Sequence, residues 1–225
     1  FKPQASAEQW QRFCSLLWHH EGLGMWLDVS RMAVTPEHLE ALTPAFTAAF
    51  QAMDALEAGA IANPDEGRQV GHYWLRAPQL APEPAISSHI RQEIDSIEAF
   101  AQQVLAGDLQ PPGLTPFTDV LWIGIGGSGL GPLLILRALQ QQGQGLPFHF
   151  FDNVDPQGFS RTLAGLGERL RTTLMVVVSK SGGTPEPRLG MEQARARLEA
   201  LGGSWAAQAV AVTMAGSQLD RLAVE

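Results

Sequence analysis

Cysteine is almost missing from this 225-residue chain, with Cys14 the only one. A lone cysteine cannot close an internal disulfide, and such sparing use fits a reducing compartment, so a cytoplasmic protein is expected. Lysine is nearly as scarce: Lys2 and Lys180 stand beside thirteen arginines. Asp and Glu outnumber Lys and Arg by 23 to 15, for a formal net charge of −8. No basic stripe is left to follow a phosphodiester backbone, which argues against a nucleic-acid partner. No apolar run approaches the roughly 20 residues of a membrane-spanning helix, so no membrane partner is expected. The opening FKPQASAEQW is not built like a signal peptide. It also lacks an initiating Met, and the chain stops at DRLAVE, which points to a piece of something longer.

What is present is enough for a sizeable core: 45% of residues are hydrophobic and 17% charged. Residues 1–117 read as a helical N-terminal extension joined by Pro-rich loops. SAEQWQRFCSLLWHH places Trp10, Phe13, Leu16 and Leu17 at helical spacing. Thr35-Pro36-Glu37 opens a second helix to about Ala58. NPDEG at 63–67 is a turn, and RAPQLAPEPAISS an extended connector ending in a serine cap. A third helix spans about 88–105, and GDLQPPGLTPFTD reads as a linker. From residue 118 onward strands and helices alternate. Strands are expected at 119–125, 147–152, 172–178 and 207–213, with helices at 128–141, after Asp155-Pro156, at 184–201 and at 216–223. Near-continuous apolar strands in such an alternation predict an α/β three-layer sandwich with a mainly parallel sheet.

Two loops at the carboxyl ends of these strands carry the chemistry. The first, in LWIGIGGSGLGP, has Gly126 and Gly127 for close backbone approach to an anion and Ser128 to cap the next helix. The amides of Gly129, Leu130 and Gly131 would then face the ligand with the helix dipole behind them. The second loop, Ser179-Lys180-Ser181-Gly182-Gly183-Thr184, offers three hydroxyls, a cation and two glycines. Thr184 is placed to cap a helix that starts at Pro185. Plain structural turns and caps would account for either loop alone; the two together, on two strand–helix units, favour an anion site. Residues 124–129 satisfy G-x-G-x-x-G, with Asp152 ending the next strand, so a dinucleotide is one reading. A nucleoside-triphosphate loop fails for want of G-K-[ST]. A phosphate monoester uses every feature of both loops.

That arrangement resembles the sugar isomerase domain, and more closely the glucose-6-phosphate isomerase family. IGIGGSGLGP is similar to the family's glycine–serine signature, although many members carry Asp where Gly129 stands. SKSGGTPEP resembles the second phosphate loop of its bacterial form, with Pro187 in place of the common Thr. Asn63–Arg76, NPDEGRQVGHYWLR, resembles the segment N-x-T-E-x-R…H…L-R, and LDVSRM at 27–32 is similar to cyanobacterial-type members. The likeness implies a flavodoxin-like sugar isomerase domain over 118–225, truncated at its C-terminal end. It carries substrate-phosphate contacts onto Gly127, Ser128, Ser179, Lys180, Ser181 and Thr184, and matches His72 to a structural segment and Glu186 to a family glutamate; the dipole at the start of its helix suits Glu186 to a structural role.

The family interconverts D-glucose 6-phosphate and D-fructose 6-phosphate, in glycolysis and gluconeogenesis, without metal or other cofactor. Its chemistry opens the sugar ring and moves a proton between C1 and C2 through a cis-enediol. The resemblance puts the Glu, His, Lys and Arg for those steps beyond the matching segment, so no catalytic residue is expected within these 225. The six histidines (His19, His20, His38, His72, His89 and His149) form no metal-ligand spacing. A homodimer formed through the longer chain is also implied. The alternatives are a non-catalytic phosphosugar-binding module or regulator and, third, an NAD-dependent oxidoreductase.

Overall fold

A computed structural model describes residues 3–141 and 144–224, and the chain divides into two compact units, Phe1–Glu93 and Ile94–Glu225. The first unit opens with α1 (Pro3–Leu16), and here the helix expected to run through His20 stops short. Leu17–His20 instead forms β1, antiparallel to β2 (Met25–Asp28), with Leu17 opposite Asp28 and His20 opposite Met25. The connecting turn explains the change. Gly24 takes a φ of 59°, a region that glycine enters freely, and the His20 ring accepts the Leu23 amide at 3.1 Å. His19 and Trp26 then stack across the pair, 3.8 Å between ring centroids. Trp10 is exposed and stacks on Phe13, one of the residues expected on its helix face.

Arg12 fastens α1 to the chain after the hairpin: its guanidinium donates to the carbonyls of Ser30, Met32 and Val34 at 2.6–2.7 Å. α2 (Pro36–Glu57) starts as expected, with Thr35 Oγ1 accepting the His38 amide at 3.3 Å. Paired backbone bonds between Asn63 and Arg68 close the NPDEG turn. α3 (His72–Arg76) follows and buries Trp74, whose indole donates to the Glu57 carbonyl at 2.9 Å. α4 (Pro84–Ala106) begins four residues before the expected Ser88. The Glu83 carbonyl accepts the Ser87 amide, so both serines lie inside the helix instead of capping it. Among the described residues no helix is long and apolar enough to cross a membrane.

The end of α4 belongs to the second unit, because Phe100 and Val104 pack with Phe117 and Val120 against the sheet. There β3 (Asp119–Ile123), α5 (Gly127–Leu139), β4 (Phe148–Phe151), α6 (Pro156–Leu166), β5 (Thr173–Val178), α7 (Pro185–Ala200), α8 (Trp205–Gln208), β6 (Ala209–Val212) and α9 (Gln218–Val224) follow. The four strands β3 to β6 are parallel in the order β4-β3-β5-β6. Each is one to three residues shorter than its apolar run. Successive side chains point to opposite faces. Val120, Leu174 and Val176 pack under α4, while Leu121, Ile123, Met175 and Val177 meet Leu163 and Leu166 of α6 and Met191, Ala194 and Leu198 of α7. Helices on both faces of a parallel sheet make the expected three layers. Leu121, Ile123 and Met175 are wholly buried, each contributing about 1.5–3 kcal/mol.

Asp119 is also wholly buried, at the amino end of β3 and so at the opposite end of the sheet from the two loops. Burial pushes its pKa up. Hydrogen bonds from His149 Nε2 (2.9 Å) and the Thr118 hydroxyl (2.9 Å), with the charge of Arg169 (2.6 Å), outweigh burial and hold it below the ordinary carboxylate value.

The strand order positions the site. From β3 the chain crosses through α5 to β4 on one side; from β5 it crosses through α7 to β6 on the other. Right-handed crossovers put α5 and α7 on opposite faces. β3 and β5 are neighbours, so their carboxyl ends flank a crevice from which the chain leaves in two directions. Open α/β sheets hold ligands at such a switch point.

Candidate anion-binding site

β3 leads through Gly124 and Ile125 to Gly126, whose φ of 58° and ψ of −126° suit only glycine. Gly126 starts α5. Its carbonyl accepts the amides of Gly129 at 3.1 Å and Leu130 at 2.8 Å, and the Ile125 carbonyl accepts that of Ser128 at 3.1 Å. This corrects the expectation that Ser128 caps the helix and leaves Gly129, Leu130 and Gly131 free. The helix begins at Gly127, so Ser128 lies in its first turn. Two of those amides already have partners, and Gly131 is far enough along the helix to bond inward. In this turn, among the described residues, the amides of Ile125, Gly126 and Gly127 have no backbone acceptor. The indole of Trp122 holds this turn in place by donating to the Ser128 carbonyl at 2.7 Å.

The second loop leaves β5 with Ser179 nearly buried, its amide bonded to the Val212 carbonyl at 3.1 Å. Ser179 Oγ accepts the Gly182 amide at 3.2 Å and donates toward Thr184 Oγ1 at 3.4 Å. Ser181 Oγ accepts the Gly183 amide at 3.2 Å. Gly182 has a φ of 68°, and a Cβ there would collide with the backbone nitrogen of Leu219, so the loop lies flat on the start of α9. Thr184 occupies the N-cap position of α7 but makes no capping bond. Of the N2 and N3 amides that such a hydroxyl can accept, the second is missing, because N3 is Pro187. The Thr184 hydroxyl is therefore not committed to capping.

The two loops meet. Ser128 lines one cleft of about 190 Å³ together with Ser179, Lys180, Ser181 and Thr184, and Ile125, Val178 and Pro187 complete the wall. Gly127 is not in that wall but precedes Ser128, with its amide on the dipole-positive end of α5. Hydroxyls, amides at a helix start and one ammonium make a site for a compact oxyanion. The cleft is smaller than the roughly 300–1,000 Å³ of pockets that engulf drug-sized ligands, which suits a monoester better than a dinucleotide. A larger hollow of about 630 Å³ among α7, α8 and α9 has none of these residues. Asp152, the acidic residue of the dinucleotide reading, lies just past β4 and accepts from Asn153 Nδ2 at 2.8 Å. Glu186 sits in the first turn of α7, where its charge suits the dipole. His72 lies in the first unit, at the start of α3 with its ring against Tyr73.

Sequence reasoning passed over Trp122, whose bond runs to its own crossover. It also passed over the loop after β6, whose carboxyl-end position was the available signal.

Comparison with known proteins agrees with the fold. The family model for phosphoglucose isomerase matches residues 28–224. A glucose-6-phosphate isomerase of Parasynechococcus marenigrum (strain WH8102) is 69% identical over 213 residues, covering 95% of this chain and 39% of the relative. One from Thermosynechococcus vestitus is 54% identical over 214 residues, covering 95% and 40%. The crystal structure of a glucose-6-phosphate isomerase from Chlamydia trachomatis superposes with a TM-score of 0.77 at 29% identity, over 93% of this chain and 41% of that one. The chain thus spans about 40% of the length of the relatives it matches. With its parallel sheet, its paired loops and a family match over nearly all of its length, the chain belongs to the phosphoglucose isomerase family.

Proposed function

We propose that this chain is the sugar-phosphate-binding segment of an aldose–ketose isomerase that interconverts D-glucose 6-phosphate and D-fructose 6-phosphate, a reaction of glycolysis and gluconeogenesis. The observation that carries the reading is the shared cleft of Ser128, Ser179, Lys180, Ser181 and Thr184 at the β3/β5 switch point. It is the right kind of place to grip the substrate at its phosphate, away from C1 and C2, so that binding energy is used for orientation. Gly127 adds a backbone amide. No metal or other cofactor is called for.

Moving a proton between C1 and C2 needs a base, and the enediolate needs a nearby cation. In this reading those groups come from the remainder of a longer cytoplasmic protein, which assembles as a homodimer. The test is a titration with glucose 6-phosphate and, separately, NAD, following unfolding. A ligand at 100 times its Kd should add about 2.7 kcal/mol of stability. Stabilisation by glucose 6-phosphate and not NAD is expected; stabilisation by NAD alone would overturn the reading.

A further inference from the structure

We propose that Thr213, at the end of β6, is the positioning residue that aims the second anion loop into the cleft, an inference that rests on the phosphate-binding reading above. The argument starts from the two carbonyls at the head of the loop. Thr213 Oγ1 lies 2.7 Å from the Ser179 carbonyl, which also accepts the Gly182 amide at 3.3 Å, and 3.4 Å from the Lys180 carbonyl, to which the Met214 amide donates at 3.2 Å. Both carbonyls therefore point toward the chain that follows β6. In a trans peptide the N–H lies opposite the C=O. The amides of Lys180 and Ser181, across those same two peptide planes, must then point away from β6. That is the side of β3, where Ser128 and the cleft lie. Successive amides aimed at one point form an anion-binding nest.

Thr213 is held in turn. Its hydroxyl has one proton, and a carbonyl can only accept, so Thr213 donates to Ser179 and receives from Ser217 Oγ, 2.7 Å away. Ser217 Oγ also accepts the Asp220 amide at 3.0 Å, and its carbonyl accepts the Arg221 amide at 3.1 Å, so it caps α9. A hydrogen-bonded line thus runs from the start of α9 through Ser217 and Thr213 to the loop. Thr213 itself takes no place in the cleft wall. Its effect on a ligand is exerted through the Ser179 carbonyl and, at longer range, that of Lys180.

The test compares wild type, Thr213→Val and Thr213→Ser in the 225-residue chain. The readouts are the Kd for glucose 6-phosphate and for inorganic phosphate, and the shift of the Ser181 amide in an ¹H–¹⁵N spectrum during each titration. Losing one well-placed hydrogen bond corresponds to a rise in Kd of about tenfold for Thr213→Val. Thr213→Ser, which keeps the donor, should bind like wild type. The Ser181 shift should be present in wild type and Thr213→Ser and lost in Thr213→Val. Unchanged binding by Thr213→Val, or equal weakening by Thr213→Ser, overturns the inference while leaving the phosphate reading intact. Failure of wild type to bind either ligand overturns both. If Thr213→Val does not fold, Thr213→Cys takes its place, being of similar volume with only a weak donor.

Discussion

Replacing Thr184 by alanine separates ligand binding from helix capping. Were Thr184 an ordinary N-cap, its loss would cost about 1 kcal/mol of stability. The geometry says otherwise, since its hydroxyl caps nothing and Pro187 has no amide to be capped. Among the described residues, the partner of that hydroxyl is Ser179 Oγ at 3.4 Å, long for an O–H···O bond. Thr184→Ala should therefore change the stability of the ligand-free chain by no more than about 0.5 kcal/mol. A hydrogen bond to a charged phosphate oxygen is worth about 1.5–3 kcal/mol, or roughly ten- to 150-fold in Kd. The assay pairs urea unfolding of the ligand-free protein with calorimetric titration of glucose 6-phosphate. Loss of 1 kcal/mol or more of stability with an unchanged Kd would refute the argument and make Thr184 a structural cap.

Three further outcomes are expected. Gly126→Ala forces a side chain into a glycine-only conformation, so unfolding should show a loss of about 1–3 kcal/mol, and phosphate should bind more weakly as the Gly126 and Gly127 amides turn away. Asp119→Asn should destabilise the chain by about 1.5–3 kcal/mol at neutral pH, as the charge-assisted bonds to His149 and Arg169 go. Because the Asp119 pKa is lowered on folding, its contribution is fully present above the ordinary carboxylate value of about 3.9 and is lost as the pH falls through the lower folded value. Wild type should accordingly lose stability relative to Asp119→Asn only in acid, between the ordinary carboxylate value and the lower folded one, measured by unfolding across the pH range. Finally, the chain alone should show no isomerase turnover in a coupled fructose 6-phosphate assay. Robust turnover would place the proton-transfer groups inside these residues, with His72 the first to test.

The periodic parts of the sequence determined much of this protein. Apolar runs such as TLMVVV, alternating with helical segments, specify a buried parallel sheet, and the glycine and hydroxyl clusters after them mark the ends from which ligands are approached. Where a Pro or Gly set a local rule, as at Thr35-Pro36 or Asn63–Gly67, the turn or cap was legible too. The hairpin at residues 17–28 was not, because Leu17 and Trp18 suit a helix equally well and only pairing with Met25–Asp28 selects the strand. Capping was misread at Ser128 for a related reason. A cap is defined by which carbonyl takes which amide, and here Gly126, freed by its positive φ, starts the helix early. The meeting of the two loops, more than 50 positions apart in the sequence, was decided by strand order alone. Placing β5 beside β3, with their crossovers leaving in opposite directions, is a property of the whole sheet, and it brings Ser128 to Ser179, whose carbonyl the Thr213 hydroxyl meets from the end of β6.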